Sequence, residues 1–377
     1  MKRKRIGIYF LYGRNWLGGV YYIQNLLIAL SKQPDETIPF VDLYCSNKES
    51  FDDLKSNTQY PYLEYNEIRI SSWRRWIYLL LKYMGCKSAF KIHYQKFNDE
   101  DIIIYPYSAG ANVQPVFWIP DFQEKYLPQY FSKKELSRRD KSIRAVAQQN
   151  IPIVFSSEAC LNDYKKFYPE YNNKTFVVRF SVFHPDFSDI SVDPVKEKYG
   201  ITKPYLLCAN QFWTHKNHLF LFKAFKKALD KGLKLQLVCT GRMSDPRNPG
   251  YIEELKDYLI KEKLDDILLL GLIDRKEQLC LLKNSYAVVQ PSLFEGWNTT
   301  VEDCKALDKF VFLSDLPVHR EQMNKNVCFF DPYNEDDLVQ KLLTIDPVEV
   351  SYNYSQNLID FESSFVEVIN MVEKNNK

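Results

Sequence analysis

An α/β fold is predicted, built as two doubly wound units in which helices cover both faces of a parallel sheet. Two observations carry this expectation. Short runs that are apolar throughout recur between longer stretches of helical pattern, which is how strands buried on both sides read. The chain has 377 residues, and at roughly 100 to 200 residues per domain that is room for two such units.

The strand candidates of the first half are RIGIYFLY, FVDLYC, DIIIYP, PVFWI, IPIVFS and KTFVVRF. Those of the second half are PYLLCA, LKLQLVCT, DDILLLGL, YAVVQPS, KFVFLS and VCFFDP. Gly18-Gly19 follows the first run and opens the helix VYYIQNLLIAL. Ser132 with Glu135 forms a capping box, and Asn248 followed by Pro249 opens the helix containing YIEELKDYLI. From His184 to Lys203 the chain is polar, holds a proline and lacks a strand pattern, which marks a boundary. We therefore expect an N-terminal unit over residues 1–187 and a C-terminal unit over residues 188–354. The amphipathic stretch Asn357 to Val372, within the tail 355–377, has a face to bury on either unit, the N-terminal one included. No repeat or low-complexity tract interrupts the pattern.

Composition removes several function classes. Apolar residues make up 45% and charged residues 26%, as in globular domains, so disordered and fibrous classes are excluded. With 50 Lys plus Arg against 48 Asp plus Glu, no global field attracts nucleic acid. The eight cysteines are scattered without C-x-x-C spacing, and several sit among Val and Leu, as in a reducing cytoplasm. His215 and His218 lack a third ligand nearby, so no metal site is expected. The N-terminus does not read as a secretory leader, and the longest charge-free stretch, Ile102 to Pro120, is broken by Pro and Gly. The chain holds only 12 Gly against 25 Phe and 26 Tyr, so each loop glycine invites a physical reason.

In open parallel sheets ligands bind beyond the carboxyl ends of the strands. The segment Pro291 to Glu321 lies there: it follows YAVVQPS, places Glu295-Gly296 in a tight turn and starts a helix near Thr299. Backbone N–H groups at a helix start favour an anionic or hydroxyl-rich ligand. Glu302 and Asp303 are adjacent and point about 100° apart, so at most one shares a ligand with Glu295. The competing reading makes Thr299 with Glu302, or Thr300 with Asp303, a capping box. Glu295 has no capping role in a strand-to-helix turn.

A Glu-Gly-aromatic turn after Pro-Ser with a second acid eight positions on resembles the Glu-x7-Glu signature of retaining GT-B glycosyltransferases of family 4. The resemblance implies that Glu295 contacts a donor sugar and that the second acid, Asp303 at the eighth position or Glu302, binds the nucleotide ribose. The amides around Gly296, Trp297, Asn298, Thr299 and Thr300, at the helix start, are candidates to receive the departing diphosphate's charge. The loop Cys208 to His218 follows PYLLCA, and its Lys216 matches the family's phosphate-binding lysine. Asn210 stands where that family has an arginine, and Arg242, after LKLQLVCT, is the candidate to replace its charge. For Lys216 the rival is a solvated lysine before a helix. The turn Gly271-Leu272-Ile273 is assigned to the base, or else is a plain turn with a core anchor.

In the N-terminal unit the resemblance sets Gly18 and Gly19 against the donor phosphates across the cleft, unless they make an ordinary turn. In Trp118 to Pro128, Pro120 replaces the histidine of a His-Asp pair near the acceptor, so Asp121 alone carries over, with a helix cap as its rival. Trp73 to Lys96 is basic, aromatic and free of acids; it reads as a solvated helix face or as a peripheral contact with an anionic membrane, relevant to a lipid-linked acceptor.

The expected protein is thus a GT-B glycosyltransferase with two Rossmann-like units facing a cleft. It would move a sugar, with retention, from a nucleotide diphosphate sugar bound by the C-terminal unit to an acceptor hydroxyl of a glycan or lipid-linked saccharide held by the N-terminal unit. Bacterial polysaccharide or glycan assembly is the expected setting, in the cytoplasm, either free or peripheral on the inner face of the membrane, with no metal and no cofactor besides the donor. A GT-B sugar-nucleotide epimerase and a non-catalytic nucleotide-sugar binding module are the alternatives. A dinucleotide oxidoreductase is disfavoured, since no G-x-G-x-x-G follows the first strand.

Overall fold

In a computed structural model, residues 3–10, 17–45, 47–67, 102–103 and 116–374 are described. The basic segment 73–96 lies outside the described residues. The elements, in chain order, are β1 (Arg5–Phe10), α1 (Leu17–Ser31), β2 (Phe40–Cys45), α2 (Lys48–Thr58), β3 (Leu63–Glu67), β4 (Ile102–Ile103), β5 (Phe117–Ile119), α3 (Gln123–Tyr126), α4 (Lys133–Gln148), β6 (Ile153–Phe155), α5 (Glu158–Phe167) and β7 (Thr175–Val177). There follow α6 (Val192–Lys198), β8 (Tyr205–Ala209), α7 (His218–Asp230), β9 (Gln236–Thr240), α8 (Tyr251–Glu262), β10 (Ile267–Gly271), α9 (Arg275–Lys283) and β11 (Ala287–Gln290). The chain ends with α10 (Thr299–Ala306), β12 (Val311–Ser314), α11 (Pro317–Gln322), β13 (Val327–Phe330), α12 (Glu335–Thr344) and α13 (Tyr354–Lys374).

Strands pair in parallel throughout the described ladders. The first half forms the sheets β3-β2-β1-β4 and β5-β6-β7, and the second half forms β10-β9-β8-β11-β12-β13. In that six-stranded sheet the winding direction reverses between β8 and β11, which lie side by side. A crevice opens beyond the strand ends at such a reversal. The two loops singled out in the sequence, after β8 and after β11, therefore emerge next to each other.

The apolar runs bury both faces of the sheet, as period-2 alternation requires. Leu206 and Cys208 of β8 pack with Leu221, Phe222 and Phe225 of α7. Tyr205 and Leu207 face the other layer, with Val301 and Cys304 of α10. Each fully buried Leu or Phe contributes about 1.5–3 kcal/mol relative to exposure.

The C-terminal helix settles against the N-terminal core. Phe361, Phe365, Val368 and Ile369 join Ile6, Ile8, Leu26 and Leu27 in one cluster. At its start the Tyr354 hydroxyl donates to Glu302 Oε2 at 2.8 Å and accepts from the Val182 N–H at 2.9 Å. One phenol thus joins the donor-side helix α10, the segment linking the units and α13.

Two local expectations meet different outcomes. Ser132 caps α4 as its box predicts, accepting from the Glu135 N–H at 3.2 Å. Asn248-Pro249 does not open α8: Gly250 is its N-cap, while the Asn248 side chain reaches Thr214 Oγ1 at 3.3 Å. A tertiary hydrogen bond there takes the side chain that the local rule reserved for the cap. Strand β3, LEYNE, was not among the expected runs because polar residues dominate it.

Candidate functional site

Between the units lies a cavity of about 240 Å³. The N-terminal unit lines it with Gly18, Tyr21, Tyr22, Trp118, Pro120, Asp121, Gln123, Ser156 and Phe180. From the loop after β8 come Asn210, Trp213 and Lys216, from the end of β9 Gly241 and Arg242, and from the turn after β10 Leu272, Ile273 and Arg275. Phe294 to Thr300 and Asp303 complete it. Gly19 and Glu302 do not line it.

Two loops are pinned together by direct contacts. The Leu293 N–H donates to the His215 carbonyl at 2.8 Å. Beside that bond Lys216 Nζ donates to Glu295 Oε1 at 2.5 Å, and Asn298 Nδ2 donates to the same oxygen at 3.1 Å. The lysine side chain is 15% and the glutamate side chain 8% exposed. In such a setting the attraction is weakly screened, and losing either partner strands the other charge. Lys216 is therefore not a solvated lysine. Burial, with the charges of Lys216 and Arg247, pushes the His215 pKa well below its ordinary value, so its ring is neutral beside the pair.

Asn298, and neither threonine, caps α10: its Oδ1 accepts from the Val301 N–H at 3.2 Å. This replaces both capping boxes considered above. Thr300 Oγ1 instead donates to the Ala209 carbonyl at 2.8 Å, holding the helix start against β8. The start of α10 faces the cavity through Asn298, Thr299 and Thr300.

The neighbouring acids part company. Glu302 turns away from the cavity, accepting from Gln322 Nε2 at 2.9 Å, Lys305 Nζ at 3.2 Å and the Tyr354 hydroxyl. Burial raises its pKa against the opposing pull of Lys305, Gln322 and Tyr354. With its carboxylate engaged there, outside the cavity, Glu302 is not placed to bind a ligand in it. Asp303 turns inward, its Oδ1 accepting from Arg275 Nη2 at 2.5 Å and from His184 Nε2 at 2.9 Å. Burial alone would raise the Asp303 carboxyl, but the Arg275 charge and the two hydrogen bonds outweigh it and hold the pKa below its ordinary value.

Arg242 reaches the cavity with its Nε buried and without a hydrogen-bond partner among the described residues. A buried N–H left unpaired calls for an acceptor. Asn210 is buried, its N–H bonded to the Thr240 carbonyl at 3.0 Å. Leu272 is 59% exposed at the rim, which removes the core-anchor reading for that residue. Asp121 lines the cavity, and its Oδ1 accepts from the Gln123 N–H at 3.0 Å just ahead of α3, whose N-cap is Phe122. Gly18 and Gly19 lie inside the first turn of α1 and do not form a separate turn.

Sequence reasoning passed over His184 and Arg275 because their meaning lies in Asp303, which is 119 and 28 residues away. Gly241 was also missed, although glycine scarcity signalled it. Its φ is +137°, and an added Cβ would lie 2.0 Å from the Asn210 carbonyl oxygen, so β9 can end against the β8 loop only through glycine. Among the described residues no group of three or more His, Cys, Asp or Glu is placed to hold a metal ion, and no helix is long and apolar enough to cross a membrane.

Two Rossmann-like parallel-sheet units with the cavity between them define a GT-B fold, the architecture of glycosyltransferases similar to this chain. Residues 191–346 match the family model described as glycosyl transferases group 1. A 133-residue stretch is 29% identical to the O-antigen chain mannosyltransferase RfbU of Salmonella typhimurium, covering 35% of this chain and 35% of that protein. The alignment thus spans about a third of the length of this curated relative. Over the whole chain the structure is similar to a glycosyltransferase from Rickettsia africae (TM-score 0.62, 16% identity, 100% of this chain and 97% of that one). It is likewise similar to Anabaena HepE, solved with UDP and glucose (TM-score 0.62, 13% identity, 98% and 95%).

Proposed function

We propose that this protein is a retaining, metal-independent glycosyltransferase that moves a sugar from a nucleoside diphosphate sugar to an acceptor hydroxyl. The observation that carries the reading is the Lys216–Glu295 pair, at 2.5 Å, beside the start of α10 in a cavity between two Rossmann-like units. The group 1 match over the C-terminal unit supports the donor side. The UDP and glucose bound to HepE, and the O-antigen role in the name of the Salmonella relative, support a nucleotide sugar and bacterial polysaccharide assembly.

In this reading the C1–O bond to the diphosphate breaks while the acceptor oxygen bonds to C1 on the same face, and the acceptor proton goes to the departing phosphate oxygen. The hard part is the negative charge growing on the diphosphate. Lys216, the unpaired Arg242 Nε–H and the amides at the start of α10 are held ready for it, and preorganised donors of this kind lower the barrier. Glu295 orients the sugar, Asp303 the ribose, and Ile273 with Leu272 flanks the base. The N-terminal wall, with Asp121, Trp118 and Gly18, receives the acceptor. A closed cleft limits hydrolysis.

The test is incubation of the purified protein with nucleotide sugars and saccharide acceptors, with the product's anomeric configuration read by NMR. Retained configuration in a new glycoside supports the proposal. Donor epimerised without an acceptor, or bound without turnover across the panel, rejects it for the epimerase or the binding module.

A further inference from the structure

Asp303 is gripped by one oxygen. His184 Nε2 and Arg275 Nη2 both donate to Oδ1, and Oδ2 accepts no hydrogen bond among the described residues. Two donors on one oxygen fix the carboxylate's rotation, which leaves the second oxygen as the available acceptor in the cavity that Asp303 lines.

Each of the two grips leans on the N-terminal side. His184 lies in the segment between β7 and α6, where the chain passes from one unit to the other. Arg275 begins α9 in the C-terminal unit, yet its guanidinium carbon sits 5.4 Å from the ring centroid of Tyr21 in α1, a cation–π contact across the cleft. Its Nη1 also donates to Gln278 Oε1 at 2.8 Å, whose amide donates to Thr240 Oγ1 at 2.9 Å. Arg275 is thus held from both sides of the cleft, by Tyr21 across it and by Gln278 behind it. Hydrogen bonds weaken steeply once stretched or tilted, so the aim of Asp303 depends on both grips keeping their place.

We infer that His184 and Arg275, the latter seated on Tyr21 across the cleft, are positioning residues that aim the free oxygen of Asp303 at a nucleoside diphosphate, so that the N-terminal side helps to hold a ligand bound on the C-terminal unit. This rests on the reading of the cavity as a nucleotide-sugar site.

The test measures UDP and GDP binding by calorimetry in the full chain. His184→Leu and Tyr21→Leu each weaken binding of the preferred nucleotide roughly tenfold, the first by losing a charge-assisted hydrogen bond and the second a cation–π contact. His184→Gln, which keeps a donor, restores most of the affinity. In the Asp303→Asn background neither substitution has a further effect, because all act through one carboxylate. Unchanged binding by His184→Leu and Tyr21→Leu overturns the inference, as do losses that add in full to that of Asp303→Asn. A wild-type protein that binds neither nucleotide overturns the functional reading itself, and this inference with it.

Discussion

Gly296 stands so close to Pro120 that a methyl group on its Cα would lie 2.2 Å from the Pro120 carbonyl oxygen and 2.8 Å from the Asp121 Cβ. The donor-side turn and the opposite wall of the cleft touch there, backbone to backbone. Trp297, the next residue, donates its indole N–H to the Phe180 carbonyl at 2.9 Å and fastens the same seam. Gly296→Ala therefore wedges the cleft, at a cost of about 1–3 kcal/mol as for other overpacked sites. Small-angle scattering should show a larger radius of gyration and assays a loss of transfer. Gly250→Ala, where an added Cβ meets nothing within 4 Å, is the matched control and should change neither.

Lys216 and Glu295 share one contact but serve different steps. Lys216→Ala removes charge from the diphosphate and should reduce the thermal shift produced by UDP or GDP. Glu295→Gln should keep that shift while turnover falls at least about a hundredfold, as for loss of a preorganised polar contact. Equal losses of binding in both variants would place both residues on the diphosphate.

Asp303 gives a signed pH dependence. Its folded pKa lies below the ordinary 3.8, so the folded state binds fewer protons there than the unfolded chain. The stability it contributes is present above 3.8 and is lost as pH falls through the folded value. Asp303→Asn leaves Arg275 without its carboxylate, a loss of about 3–5 kcal/mol for a broken buried pair. In urea unfolding, the gap between wild type and Asp303→Asn should be widest near neutral pH and shrink on acidification to about pH 3. A constant gap would mean that the ionised carboxylate is not what stabilises.

Phe365 of α13 is fully buried in the N-terminal core. Phe365→Ala should cost about 3–5 kcal/mol, the range for emptying such a site. Denaturant titration should show the loss, and hydrogen exchange should show it concentrated in β1, β2 and α1.

Much of the fold was legible because its determinants are local. YLLCA, QLVCT and AVVQ announce buried parallel strands through composition alone, and Ser132 with Glu135 announces a helix start within four residues. Legibility ended where partners are distant. The pattern of α13 showed a face to bury but not on which unit. For the acids at 302 and 303, the helical angle said that only one faces a ligand with Glu295, not which one. The answer lay with Tyr354 on one side and with Arg275 and His184 on the other.

The amino-acid order alone was enough for the two sheet-forming halves and for the loops that follow β8 and β11, and the family resemblance was enough to assign Lys216 and Glu295 to one ligand, whereas their direct contact came from the structure. Strand and turn preferences act over a few residues, and a reversal of winding brings those two loops together. Folding in three dimensions selected Asp303 over Glu302, gave α13 its place, brought Arg275 onto Tyr21 and required glycine at 241 and 296. Those outcomes depend on steric contact and charge pairing between segments far apart in the chain, which no local pattern encodes.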